Sequence, residues 1–153
     1  MKINLKDAFL MDHFEKNVSF DLAAEDRADL SSLALIPCDP KVDFRIQGKF
    51  GAVFCDVLID LDYESFCSRC LTSVKGHLQI KNRRRMVVDP LKEEEDTILI
   101  GEDYSFIPEE EARNQIILEF PERFLCSENC KGLCPVCGCN LNVQNCNCET
   151  ADE

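Results

Sequence analysis

The sequence predicts an α+β domain: an antiparallel β-sheet or partly open barrel, few helices, and a cysteine-rich, zinc-binding C-terminal segment. Three observations carry this reading. Residues 41–61 and 74–88 alternate apolar and polar side chains with period two, Pro108 to Phe120 follows a helical pattern, and seven of the eleven cysteines fall between Cys126 and Cys148. With 153 residues the chain can bury a proper core. The expected organisation is a sheet domain over 1–125 containing the first cysteine pair, a zinc-binding tail over 126–149 packed on it, and a disordered end at 150–153.

Along the chain, "LKDAFLMDH" suits a short helix, and "NVSFDLA" places Val18, Phe20 and Leu22 on one side of a half-buried strand. The stretch before Pro37 reads as a loop or short helix. From Lys41, Val42, Phe44 and Ile46 alternate with Asp43, Arg45 and Gln47. Gly48 and Gly51 bracket a turn, after which Val53, Cys55, Val57, Ile59 and Leu61 share one parity, so the two strands are antiparallel neighbours. A third long strand follows the first cysteine pair, with Val74, Leu78, Ile80, Met86 and Val88 buried and Lys75, His77, Gln79, Lys81, Arg83 and Arg85 outward. "DPLKEEED" is a solvated acidic loop and "TILI" a short strand. The last element is a helix, opened by Pro108 and three glutamates, with Ala112, Ile116 and Phe120 recurring every four residues and Pro121 stopping it.

The net charge of −12 argues against indiscriminate nucleic-acid binding, because neutralising phosphates needs Lys and Arg. The distribution says more than the sum. Between Ser65 and Val88 there is no acid and six bases, whereas Asp89 to Ala112 carries ten acids and only Lys92 as a base. The N-terminus lacks the apolar run of a signal peptide, and nowhere do ~18 apolar residues follow one another. The expectation is a soluble cytoplasmic protein with no membrane partner, and in that compartment disulfides are rare.

The close spacing Cys67-x2-Cys70, Cys126-x3-Cys130, Cys134-x2-Cys137 and Cys146-x1-Cys148 then points to metal. One tight turn aims two thiolates at one ion, and a structural zinc takes four in a tetrahedron. Four pairs make two sites and two zinc ions: Cys67, Cys70, Cys126 and Cys130 in one, Cys134, Cys137, Cys146 and Cys148 in the other. Gly138 permits the backbone turn that lets amides face sulfur. Cys38, Cys55 and Cys139 are left over. An iron–sulfur cluster lacks the full ferredoxin spacing, and a thioredoxin-like role for Cys67 and Cys70 lacks its βαβ setting. An all-thiolate set also leaves no open position for catalytic zinc, and neither His13 nor His77 sits in a catalytic neighbourhood. Arg69 and Lys131 offset the charge that zinc-bound thiolates add. Lys75, Lys81, Arg83, Arg84 and Arg85 are candidates for RNA phosphates.

At "FCSRCLTSV" and "CKGLCPVCGCNLN" the sequence resembles the YceD family of bacterial large-ribosomal-RNA-subunit accumulation proteins. The Cys-x-Arg-Cys element matches Cys67, Arg69 and Cys70, "IILEFP" matches the end of the preceding helix, and Cys130 through Asn142 follow the family's cysteine-rich tail, with Cys139 at its unspecified position. The resemblance spans roughly residues 40 to 149. It implies a part in synthesis, processing or stability of large-subunit ribosomal RNA, without a reaction. The leading expectation is a non-enzymatic ribosome-biogenesis factor that holds large-subunit ribosomal RNA or a pre-ribosomal particle. Its rivals are an adaptor whose acidic surface receives a basic ribosomal protein, and a thiol redox protein.

Overall fold

A computed structural model describes residues 1–148. The expected disordered end at 150–153 lies outside the described residues, as does Glu149. The elements are β1 (Ile3–Asn4), α1 (Lys6–Leu10), β2 (Phe14–Asp21), β3 (Lys41–Lys49), β4 (Ala52–Phe66), β5 (Ser73–Val87), β6 (Thr97–Leu99), β7 (Ser105–Phe106) and α2 (Pro108–Glu119). Strands β2 to β6 form one open sheet in chain order, antiparallel except that β6 runs parallel to β5. Of the two sheet forms expected, the structure takes the open one. β1 and β7 pair in a separate two-stranded ribbon that ties the N-terminus to the start of α2.

Period-two alternation dictates the sheet. Val42, Phe44 and Ile46 on β3 and Val53, Cys55, Val57, Ile59 and Leu61 on β4 are all buried, and their alternates face outward. Gly48 lies inside β3 rather than at the turn, which is made by Phe50 and Gly51. A side chain at Gly48 would run into the backbone of Ala8, so its absence lets α1 rest on the sheet. Helix α2 covers the inner face through Ala112, Ile116 and the buried Gln115. Gln115 accepts from Asn82 at 3.0 Å and donates to Glu111 at 2.6 Å, which keeps the amide satisfied out of water. Burial beside Glu111 pushes the Cys55 thiol up to about 12, so it behaves as a small apolar side chain.

β4 and β5 outrun the rest of the sheet and form a long hairpin whose tip is Cys67–Thr72. Tyr63, Phe120 and Phe124 pack in a trio with centroids 5.2–5.9 Å apart. Ser68 then donates its amide to the Phe124 carbonyl at 2.7 Å. The end of α2 is thereby brought alongside the hairpin tip, and residues 126–148 fold over it. No helix is long and apolar enough to cross a membrane among the described residues.

Candidate metal centres and the open sheet face

The hairpin tip is a knuckle. The Leu71 amide donates to the Cys67 carbonyl at 2.9 Å and Leu71 takes a positive φ of 61°, which turns both sulfurs to one side. Cys126 and Cys130 arrive from beyond α2. Cys67 Sγ lies 3.7 Å from Cys130 Sγ and Cys70 Sγ 3.5 Å from Cys126 Sγ, with all four sulfurs within 4.8 Å of one another. These separations are far beyond a disulfide of ~2.05 Å, and match the ~3.8 Å edge of a tetrahedron with metal–sulfur arms of ~2.3 Å. The donor set fits a tetrahedral metal.

Cys134, Cys137, Cys146 and Cys148 form a second set under the same limit. Its knuckle repeats the first: the Gly138 amide donates to the Cys134 carbonyl at 2.9 Å with φ of 74°, and the Val136 amide approaches Cys134 Sγ at 3.4 Å. Backbone amides hold one thiol in each knuckle down at about 6, the Cys70 amide acting on Cys67 and the Cys137 amide on Cys134. The Thr72 hydroxyl lowers Cys70. Cys126, hydrogen-bonded to Cys70, and Cys148, hydrogen-bonded to Cys137, are pushed up to about 12, since neighbouring thiols cannot all carry charge without a cation. Cys139 is likewise raised to about 12 beside Cys137 but falls outside the four-sulfur set. Cys38 is exposed in its loop.

Two asparagines link the sites. Asn142 donates to Cys130 Sγ at 3.3 Å and to Asn140 Oδ1 at 2.9 Å, while its Oδ1 accepts from the Lys131 amide at 2.8 Å. Asn140 donates to the Thr72 hydroxyl at 3.4 Å, and that oxygen is 3.2 Å from Cys70 Sγ. The loop between the two halves of the second site therefore reaches two sulfurs of the first. Arg69 donates to the Cys130 carbonyl at 3.1 Å. Sequence reasoning passed over both asparagines, although their position between Cys137 and Cys146 was the available signal.

The candidate RNA residues divide three ways. Lys81, Arg83 and Arg85 project from the outer face of β5, joined by Arg45 and Lys49 of β3 at the same end. Lys75 lies at the opposite end and is paired with Glu64 at 2.7 Å. Arg84 has the parity of Ile80 and Met86, so its side chain turns to the inner side and donates to the Glu95 carbonyl at 2.9 Å. The acids facing β5 were also missed. Asp56, Asp60, Asp62 and Glu64 share outward parity on β4 and stand opposite Arg83, Gln79, His77 and Lys75. Asp62, at 2.8 Å, raises His77 above its ordinary value.

The model of the YceD family, described as large ribosomal RNA subunit accumulation protein, matches residues 56–153. The uncharacterized protein ML1660 of Mycobacterium leprae is 27% identical over 107 residues, which cover 67% of this chain and 49% of that protein. The chain thus spans about half the length of the curated relative it matches. No solved structure matches.

Proposed function

We propose, from the premise that the chain belongs to the YceD family of large ribosomal RNA subunit accumulation proteins, that it is a non-enzymatic cytoplasmic factor that holds large-subunit ribosomal RNA or a pre-ribosomal particle. The family supports a role in ribosome biogenesis. In this reading residues 1–125 are the body that presents RNA contacts, and 126–149 a tail stapled to it by two zinc ions. Four thiolates per site favour zinc as a structural ion.

The observation that carries the RNA contact is the lopsided outer face. Arg45, Lys49, Lys81, Arg83 and Arg85 gather at one end against Glu15, Asp43 and Asp56, whereas at the other Asp21, Asp60, Asp62 and Glu64 outnumber Lys41 and Lys75. A −12 protein can thus offer phosphates one locally cationic surface. Lys75 lies at the opposite end and Arg84 faces inward, so neither belongs to it, while Arg45 and Arg83 belong to it already paired, with Glu15 at 2.8 Å and Asp56 at 3.5 Å.

Replacing Lys81, Arg83 and Arg85 together with Gln is expected to weaken binding to large-subunit ribosomal RNA. For a single-stranded target the salt slope should flatten by roughly 0.7 per lost contact. Native mass spectrometry of the same variant should show two zinc ions and an unchanged melting temperature. Wild-type affinity across the salt titration would sink the reading. It would favour instead an adaptor for a basic ribosomal protein, for which the acidic loop 93–96 beside exposed Leu99, Ile117 and Leu118 speaks.

A further inference from the structure

Across the middle of the open face lies a depression of about 650 Å³, floored by sheet backbone and by Leu58. Two register rows cross it: Arg45, Asp56 and Arg83 in one, Asp43, Leu58 and Lys81 in the next. Leu58 is the one apolar side chain in these rows, and rows two residues apart along a strand are separated by ~6.8 Å. Leu58 is half-buried, with the depression open above it. Asp43 accepts from Ser19, and Asp56 faces Arg83 at 3.5 Å, while Arg83 also lies 5.0 Å over the Phe54 ring.

This is an unusual outer face for an antiparallel sheet. Its charges are partly paired, Arg83 with Asp56 at 3.5 Å and Arg45 with Glu15 at 2.8 Å, yet the depression over Leu58 stays open between them. One unpaired nucleotide needs three things that lie within this space: a cation for its phosphate, an apolar surface for the base face, and hydrogen-bond partners for the base edge. A duplex offers none of its base faces, so the depression has no use for it.

We infer that the depression takes one unpaired nucleotide of an RNA strand. Its base lies over Leu58 with an exocyclic amino group toward Asp43 and Asp56, and the flanking phosphates rest on Lys81 and Arg83. Carboxylates accept hydrogen bonds and cannot donate, so a base with an exocyclic amino group fits, and of the two RNA pyrimidines that is cytosine. Uracil has no amino group, and its single N3–H donor is flanked by two carbonyl oxygens that repel the carboxylates, so it is disfavoured. The inference rests on the RNA reading above and adds to it a strand state and a base preference.

Fluorescence anisotropy with labelled oligo(C), oligo(U) and a blunt hairpin duplex tests it on the full chain. Wild type should bind oligo(C) about tenfold more tightly than oligo(U), within the range of one good base-edge contact. Asp43→Asn should tighten oligo(U) and erase most of that ratio. Leu58→Ser should weaken both single strands, leave the salt slope as in wild type, and keep the melting temperature and metal content. Equal binding of oligo(C) and oligo(U), or a neutral Leu58→Ser, overturns the base site while leaving a phosphate-binding face intact. Failure to bind any of the three probes at low salt overturns the RNA reading itself, and the base site with it.

Discussion

The two cysteine knuckles are the same turn put to different mechanical use. Each closes with an amide-to-carbonyl bond of 2.9 Å and a residue of positive φ after its second cysteine. In the first, Cys67, Cys70 and Cys130 are buried, and the second pair of sulfurs comes from beyond β5, β6 and α2. In the second, only Cys134 is buried and the partners follow within one short loop. The first site fixes where α2 ends relative to the long hairpin. The second mainly closes its own loop, yet through Asn142 that loop also touches the first. Local sequence chemistry decides that a knuckle forms; the distance to its partner decides what the knuckle holds together.

Breaking one ligand in each site should expose the difference most strongly. Structural zinc binding of ~10–16 kcal/mol rivals a whole domain's ~5–15 kcal/mol, so Cys70→Ser is expected to lower the melting temperature by roughly 10–20 °C or abolish the cooperative transition. Cys146→Ser should shift it by less than about 5 °C, with faster amide exchange confined to residues 131–148. Equal global destabilisation by the two variants would show that the second site carries the fold as well.

A smaller effect tests the link between the sites. Asn142→Ala removes the donor to Cys130 Sγ while sparing all eight cysteines of the two sets. Both ions should remain bound, but affinity at the first site should fall about 10–100-fold, as happens when a hydrogen bond to a ligand atom is lost. Chelator competition would then resolve two release phases, the faster one belonging to the first site. Release unchanged from wild type would mean the sites are independent.

The least effect concerns the turns themselves. Leu71 is 64% exposed, so it gives up little buried area, yet it holds the left-handed conformation that Gly138 adopts freely. Leu71→Gly should therefore stabilise the protein by about 1 kcal/mol, read as a rise of ~2–4 °C in melting temperature. A fall would mean that Leu71 makes a contact outweighing its backbone strain.

Much of this was legible beforehand, for physical reasons particular to each element. Strong period-two alternation marked β3, β4 and β5, and Pro108 with three glutamates and a four-residue apolar repeat marked α2. Close spacing grouped the ligands into pairs, and the four sulfurs of each expected set do converge. β1 and β7 are two residues each, too short to carry any period, and exist because their partners are already in place. The basic strand looked more cationic than it is, since its neighbour's Asp56, Asp60, Asp62 and Glu64 enter only through register. That parity was written in "DVLIDLDYE" and could have been counted. Arg84 illustrates the opposite case: alternation put it on the inner face, but three consecutive arginines invited grouping by composition.

The long reach of the first site also has a consequence in time. Cys70 and Cys126 are 56 residues apart in the chain. At ~5–20 residues per second, synthesis of that stretch takes ~3–11 s, whereas Cys137 waits only ~0.5–2 s for Cys146. Throughout the longer interval the hairpin tip is a two-sulfur half-site, still without Cys126 and Cys130. A nascent chain must therefore carry this cysteine pair without its partners until α2 has been made and brings the other half.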